Sequence, residues 1–581
     1  MMSDIKNNLL KAFEKGDFLK VVYEKTSAER ENRQNLSDEL IMLHNEGLID
    51  VVAGFKILQN SSESGIDFFS TLHVFEKSLP ELNASVLPVM ECVLHLVNEA
   101  GQDLAAGALF SPYIEFCAMN SLRPKEALSL ILKNSTQLAD LLTPTIIAGT
   151  KVNIEHYLNE AIRCTYDESI EIRKRSIFSL GRIEYSEDLI LISKALACLE
   201  SAVIKETDDQ LLGNLIKSAF SLYKQDKSQT DRIIILIESA LSLGNEYSLH
   251  AGAEIFGLDF NEIPVVLLDI LLISLLRVKP ENQGTINDIK YGLTKLLDCK
   301  NSSKGIEFLE KLLIANNNKL SLEDFKHLPH DLLRNKNNIL DRLMTRWSMS
   351  GEKVLCTAIH DVVSLGHNKD ILLSVVPSEF DITSPIQSIF IARKAIGFLF
   401  FNPVTAASII ISLIELSNDD EVIGQLSELL FNPLLINYPG KVNEYLKEQL
   451  KHENSKVKLA AGTAITAFDD YFKALDSIGN IRELHPSQIQ RDAHYRRFSR
   501  QLSESMKEGE KESFFSSLFT KTVLLYGNKS IHYIHSVDDQ NNRMEIPLQR
   551  HNTEMEFPRL ENIDPLGLDY MLRTFRSEQI T

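Results

Sequence analysis

One stretch of the chain decides the fold that its sequence predicts: Asp167-Glu-Ser-Ile-Glu-Ile-Arg-Lys-Arg-Ser-Ile-Phe-Ser-Leu-Gly-Arg-Ile183. Apolar and small residues recur in it at helical spacing, which predicts a helix with one buried face. Four residues share that face: Ile172, Ser176, Ile177 and Leu180. Asp167 comes first, where a carboxylate can accept hydrogen bonds from free N–H groups of the first turn. Because Ser176 is small, a neighbouring helix can approach closely at that position.

The same stretch resembles the second helix of a HEAT repeat. It has an acidic residue first, a basic residue at Arg173, a small residue at Ser176 and a Leu-Gly pair before the aliphatic Ile183. This resemblance implies a stack of helix pairs, in which each pair packs mainly on its neighbours. It implies an architecture and names no partner.

Weaker copies of the stretch follow at the spacing of a repeat. Asp208 and Glu246 each precede a helical pattern, about 41 and then about 38 residues further along the chain. A second series begins at Asn418 and Asn454, with an offset of about 36 residues. These spacings favour a solenoid of two-helix repeats over an ordinary helical bundle.

The predicted fold class is mainly α. It is a HEAT-like α-solenoid of helical hairpins with a small C-terminal α/β domain that contains a short antiparallel β-meander. The predicted domains are an N-terminal helical region at 1–149, HEAT-like repeats at 150–479 and the α/β domain at 480–581. The predicted strands of the meander are Thr522–Tyr526, Ser530–Ser536 and Arg543–Leu548, with flanking helices at about 487–508 and 565–575.

Composition restricts the classes of partner. The 581 residues are 44% hydrophobic, which is enough to bury a large core, and they carry a net charge of −19. A chain this acidic would be repelled by phosphate if it wrapped nucleic acid over its whole surface, although a local basic patch escapes that argument.

Cysteine use and hydropathy predict a cytoplasmic protein without a cofactor. The six cysteines lie far apart and form no Cys-x-x-Cys pair, which argues against a disulfide framework or a zinc site. The most apolar run, Val265–Val278, is too short and too polar to span a membrane. The first residues, 1–13, lack the long apolar region of a secretory signal.

Motifs for catalysis are missing from the sequence. It contains no nucleotide-binding glycine loop, no His-Glu-x-x-His and no Gly-x-Ser-x-Gly. Histidines are concentrated near the C-terminus, where His532 or His535 would be the base if this region were an enzyme. On one strand these two side chains point to opposite faces, so surface histidines are the simpler interpretation. No catalytic or metal-binding residue is therefore predicted.

A basic helix provides the candidate binding residues. It interleaves arginines with a histidine and aromatic residues: Arg491, His494, Tyr495, Arg496, Arg497 and Arg500. Forked guanidinium donors suit carboxylate or phosphate groups, and aromatic rings can stack on a base. The simpler alternative is a helix that docks on the solenoid, with its arginines paired to acidic repeats.

Three functions follow from this pattern. The first is a non-catalytic scaffold or adaptor subunit that binds a protein partner within a larger complex. The second is a nucleic-acid-associated subunit of a bacterial antiphage defence or DNA-processing complex, which would use the basic helix at 491–500. The third is an enzyme with its site in the C-terminal domain. The sequence predicts no oligomeric state.

Overall fold

The computed structural model describes residues 2–28, 32–61, 65–101, 104–186, 188–298, 302–316, 319–334, 336–366, 370–479, 486–512, 519–525, 529–535, 541–547 and 556–580. Contacts group the chain into two compact units, 1–339 and 340–581. The sequence did not suggest a division at this point.

Unit 1 is built from antiparallel helices joined by short loops. Its helices are α1 (Met2–Lys15), α2 (Phe18–Ala28), α3 (Asn32–Asn45), α4 (Val51–Phe55), α5 (Phe68–Ser78), α6 (Val86–Ala100), α7 (Phe110–Ala118), α8 (Arg123–Lys133), α9 (Ser135–Leu138), α10 (Leu142–Val152), α11 (Ile154–Cys164), α12 (Ile170–Arg182), α13 (Leu189–Val203), α14 (Asp209–Gln225), α15 (Thr230–Leu243), α16 (Glu246–Leu258), α17 (Val265–Leu275), α18 (Gln283–Asp298), α19 (Ser302–Ala315) and α20 (Leu328–Leu333). Helices α10, α12, α14, α16 and α18 pack side by side in succession.

The predicted face of α12 is confirmed. Ile172, Ser176, Ile177 and Leu180 are all fully buried. The Ser176 hydroxyl donates a hydrogen bond to the carbonyl of Ala161, which lies in the preceding helix α11. A small polar side chain therefore joins the two helices of one pair, as its size suggested.

The predicted cap of α12 is wrong. The helix begins at Ile170 with Ser169 as its N-cap residue, and no side chain caps it. Asp167 instead accepts a hydrogen bond from the backbone N–H of Ser169 at 2.9 Å, within the turn before the helix. The carboxylate thus stabilises the turn, because the helix starts too late for it to reach the free N–H groups of the first turn.

Hydrogen bonds between successive helix pairs have a nearly constant separation along the chain. They join residues 31 to 42 positions apart, with Val376 and Thr345 at one limit and Gln225 and Ile183 at the other. This constancy means that each pair contacts mainly the next pair along the chain, as in a repeat protein.

Unit 2 continues with helices of the same kind. They are α21 (Ile339–Ser350), α22 (Lys353–Ser364), α23 (Pro385–Leu399), α24 (Pro403–Leu416), α25 (Asp420–Leu429), α26 (Lys441–Gln449), α27 (Ser455–Ile478), α28 (Gln488–Glu512), α29 (Arg559–Ile563) and α30 (Pro565–Ser577). Asp419 and Asn454 cap α25 and α27 with their side chains, at the two helix starts that the second repeat series predicted.

An extended segment interrupts the helices of unit 2. The backbone N–H groups of Leu373 and Val375 donate to the hydroxyls of Ser408 and Ser412 on α24, both at 3.0 Å. Side chains thereby satisfy backbone donors that have no helix of their own.

The predicted C-terminal α/β domain is wrong. Helices dominate the described chain, and no α/β domain is present among those residues. Three extended backbone segments, Phe519–Leu525, Lys529–His535 and Asn541–Pro547, pair antiparallel with one another in that order. An α/β domain needs a helix packed on its sheet, but no helix in the described ranges packs extensively on these segments. Alternating apolar and polar residues predict extended backbone, but they do not predict whether a helix packs on the paired segments.

The described cysteines are all buried. Cys92, Cys117, Cys164, Cys198 and Cys356 are free and buried, and Cys299 lies outside the described residues. Across the described helices, none combines the length and the apolar character that crossing a membrane requires.

Candidate functional site

The predicted binding residues all lie on α28, and all are exposed. Every described side chain from Pro486 to Glu508 is exposed to solvent. Arg491 contacts only its own helix among described groups, donating to the amide oxygen of Gln488 at 2.9 Å. Helix α28 is therefore not covered by the repeats that precede it.

Helix α28 has an apolar stripe. At 3.6 residues per turn, Tyr495, Phe498, Leu502 and Met506 fall on one face. Their exposed fractions are 73%, 39%, 53% and 64%. Four large exposed apolar side chains in one row are typical of a helix that binds in a groove of a partner.

A basic surface occupies another part of the same helix. Arg496 and Arg500 lie one turn apart, and Arg497 is next to them, on the side away from Leu502. None of these arginines forms an ion pair with a carboxylate of the described residues. The described contacts therefore do not support the alternative in which α28 docks on acidic repeats.

Described segments of unit 2 flank α28 in the sequence. Helix α27 precedes it, and the chain returns to the repeats at Glu556, whose carboxylate accepts hydrogen bonds from the backbone N–H groups of Gly440 and Lys441 at 2.6 and 2.9 Å. The rings of Phe498 and Phe557 meet edge to face at 5.5 Å between centroids. In the sequence, α28 thus lies between two described segments of unit 2, and Phe498 contacts the second of them.

The C-terminal segment, residues 556–580, docks on α23. Lys394 on α23 is only 1% exposed, and its ammonium donates to the backbone carbonyls of Arg576 and Glu578 at 2.7 and 2.6 Å. Burial lowers the pKa of Lys394 from its ordinary value. These carbonyls lie at the C-terminal end of α30, where a positive charge is favourable to the helix dipole.

Close backbone approach completes this docking. The carbonyl of Gly397 accepts a hydrogen bond from Arg576 Nε at 2.5 Å, and a Cβ atom at Gly397 would lie 3.2 Å from the backbone nitrogen of Arg576. Arg393 pairs with Glu578 at 2.8 Å. Sequence patterns gave no sign of this contact, because its partners lie 179 to 185 residues apart.

A polar cleft of about 240 Å³ lies on α12, α14 and α16 in unit 1. Its lining includes Lys174, Arg175, Lys217 and His250. Each of these groups is paired with an acid on a neighbouring helix or loop: Lys174 with Asp208, Arg175 with Asp140, Lys217 with Glu254 and His250 with Asp288. The cleft is therefore lined by a ladder of polar pairs between repeats, in which Lys174, Arg175 and Lys217 already have carboxylate partners.

The electrostatics of this ladder fit a structural role. Burial raises the pKa of Asp288, while the nearby His250 acts in the opposite direction. Within the described part of the chain, no group of three His, Cys, Asp or Glu side chains is arranged to hold a metal ion. The side chains of His532 and His535 lie outside the described residues, so the enzyme hypothesis is not tested by their geometry.

Comparisons with known proteins do not identify a family for this chain. No protein-family model and no curated protein matches this chain. An engineered protein from a structural genomics consortium is similar to it, with 13% identity, 80% of this chain and 99% of that chain covered, and a TM-score of 0.22. A circular tandem repeat protein with novel repeat topology and enhanced subunit contact surfaces has 14% identity, 82% and 98% coverage, and a TM-score of 0.16. At these values neither likeness carries an argument.

The class of the protein follows from its own geometry. Successive antiparallel helix pairs, joined by hydrogen bonds at a nearly constant sequence separation, define an α-helical repeat protein.

Proposed function

We propose that this chain is a non-catalytic scaffold of HEAT-like repeats, which binds a protein partner through α28. The exposed apolar stripe of α28 is the observation that carries the proposal. A helix whose apolar face is largely exposed gains little stability from its own hydrogen bonds in water, because most helical stability in proteins comes from packing of an apolar face. The stripe is suited to supply that packing when a partner covers it.

The side chains of α28 indicate what kind of surface its partner should present. Tyr495 and Phe498 offer large rigid surfaces, and aromatic and arginine side chains contribute disproportionately at the centres of interfaces. Arg496, Arg497 and Arg500 add forked donors on the side of the helix away from the stripe. The expected partner therefore presents an apolar groove with carboxylates along its rim. The helix-pair repeats supply the support, and α28 supplies the contact.

Site-specific crosslinking in native cells tests this proposal. A photoreactive phenylalanine analogue at Leu502, on α28, should form a discrete crosslinked product with one protein. The matched control carries the same analogue at Leu459, an exposed leucine on α27. Crosslinking at Leu459 alone, or equally at both positions, would place the interface away from α28.

Variants then measure the contribution of each face. Once the crosslinked protein has been purified, Leu502→Ser/Met506→Ser should weaken its affinity by about tenfold or more. Leu459→Ser should leave the affinity unchanged. An unchanged affinity in the double variant would contradict the stripe as the contact.

The arginines favour one competing function, a contact with nucleic acid. A short fluorescent duplex should show no binding at low salt if the partner is a protein. Binding that falls steeply with salt and disappears in Arg496→Glu/Arg500→Glu would overturn the proposal in favour of the nucleic-acid-associated subunit.

A further inference from the structure

The C-terminal segment is attached to unit 2 differently from every described helix pair. Hydrogen bonds between successive repeats span 31 to 42 residues, whereas those of the C-terminal segment span 115 to 185. The segment therefore does not continue the stack by packing on the preceding repeat. It returns from a distance and occupies a surface that other parts of the chain have formed.

Polar anchors hold the two ends of the segment. At its start, the Glu556 carboxylate binds the N–H groups of Gly440 and Lys441, and the N–H group of Leu560 donates to the fully buried Asn437 side chain at 2.9 Å. At its end, the almost fully buried Lys394 binds two backbone carbonyls. The receiving groups are thus built into unit 2, and two of them are deeply buried.

Apolar contact between these anchors is shallow. Within α30 only Leu568 and Leu572 are buried, while Leu566 and Tyr570 are 81% and 76% exposed. In α24, by contrast, every residue from Pro403 to Ile414 is buried. Arg393 Nε and Glu578 Oε2 are buried without a hydrogen-bond partner among the described residues. With two buried side chains and polar contacts at both ends of the segment, α30 resembles an amphipathic helix that lies in a groove.

We propose that the face of α23 and the turn at 437–441 form a docking groove for this segment, and that the groove accepts the same segment from a second copy of the chain. The recognised ligand is an amphipathic helix with three features. A carboxylate precedes the helix, two leucines of the helix are buried, and free carbonyls at the helix end reach Lys394. Exchange of an identical element between copies is a low-cost route to association, because each copy regains from the other the same interactions that it gives up within itself.

A cleavable full-length chain tests the groove without asking a truncated chain to fold. A site-specific protease sequence is inserted between Pro547 and Glu556, and the folded protein is cut. The released fragment should co-elute with the remainder in gel filtration. A fluorescent peptide of residues 556–581 should then replace it, as measured by a rise in anisotropy. A fragment that never exchanges, or an intact chain that elutes as a monomer in gel filtration at every concentration, would overturn the proposal.

Peptide variants keep the test independent of protein folding. A peptide with Glu556→Ala should bind about tenfold more weakly or worse, because charge-assisted hydrogen bonds to two N–H groups are removed. A peptide with Glu561→Ala, which removes an exposed carboxylate, should bind like the natural sequence. On the protein, Lys394→Met should weaken binding, whereas the exposed Lys451→Met should not. Equal binding by both variant peptides would contradict the groove.

Discussion

The carboxylate of Asp209 accepts a 2.7 Å hydrogen bond from the backbone N–H of Tyr247, which lies in the first turn of α16. The same carboxylate accepts from the N–H of Asn245 at 2.6 Å and from the hydroxyl of Ser248 at 2.7 Å. Asp209 sits in the first turn of α14, so one repeat caps the helix of the following repeat. The Asp209 side chain therefore caps α16 and at the same time connects two successive repeats.

Removal of this carboxylate should destabilise unit 1. We expect Asp209→Ala to lower the free energy of unfolding by about 1–2 kcal/mol, which is the value of charge-assisted hydrogen bonds reduced for partial exposure. Urea denaturation followed by circular dichroism measures the change. Asp231→Ala removes an exposed aspartate from the first turn of α15 and should have a much smaller effect. Equal effects of the two substitutions would contradict the role assigned to Asp209.

The contribution of Asp209 should depend on pH. Burial alone would raise the pKa of Asp209, but hydrogen bonds from Asn245, Ser248 and Tyr247 outweigh burial and lower it. Because the pKa in the folded state is below that in the unfolded chain, the stabilisation is complete above the unfolded value of about 3.9. It is lost as the pH falls through the folded value.

Stability measured against pH checks this sign. The difference in unfolding free energy between the natural chain and Asp209→Ala should be constant near neutrality and shrink below about pH 4. Asp209→Asn keeps one acceptor oxygen but cannot titrate, so its deficit should be partial at neutral pH. A difference that grows on acidification would show that another group dominates.

Two helical glycines should respond oppositely to a methyl group. At Gly181 a Cβ atom would lie 2.5 Å from Ser218 Cα in α14, so Gly181→Ala must push two repeats apart. We expect a loss of about 1–3 kcal/mol in unfolding free energy. At Gly424 no atom lies within 4 Å of the added Cβ, so Gly424→Ala should gain up to about 1 kcal/mol from helix propensity. Thermal melting of both variants compares them directly.

Buried thiols should resist alkylation in the folded protein. Burial raises the pKa of Cys92 and Cys356 to about 12 and that of Cys117 and Cys164 to about 11. Since the thiolate is the reactive form, these cysteines should stay unlabelled by iodoacetamide at pH 8 and react after unfolding. Peptide mass spectrometry identifies the labelled positions. Rapid labelling of any of the four would show that its helix opens frequently.

Local patterns predicted the repeats well. The buried face of α12 and the caps at Asp208, Asp419 and Asn454 follow from residues close together in sequence, where spacing alone determines which side chains meet. The ion-pair ladder also carries a sequence signal, namely opposite charges at the repeat spacing. The predicted cap at Asp167 is wrong because helix boundaries shift by a few residues without changing the pattern.

Such local patterns do not predict contacts between residues that lie far apart in the sequence. Nothing near Lys394 or Glu578 in sequence indicates that they meet, because their spacing has no period. The prediction of an α/β domain is wrong for a related reason. Alternating residues predict extended backbone locally, but whether a helix covers it depends on where distant segments return. The exposure of α28, which carries the candidate site, likewise depends on whether distant segments pack against it.

The long-range docking of the C-terminal segment gives the chain a defined response to mechanical load. A pull on the C-terminus acts first on the contacts of Lys394 with Arg576 and Glu578, so the segment should peel from α23 before any repeat opens. Repeats held only by their neighbours should then extend one at a time. Each such step would release roughly 110–150 Å of contour length, from 31 to 42 residues at full extension. The C-terminal segment would therefore detach at low force, and the repeats would stay folded until the force rises further.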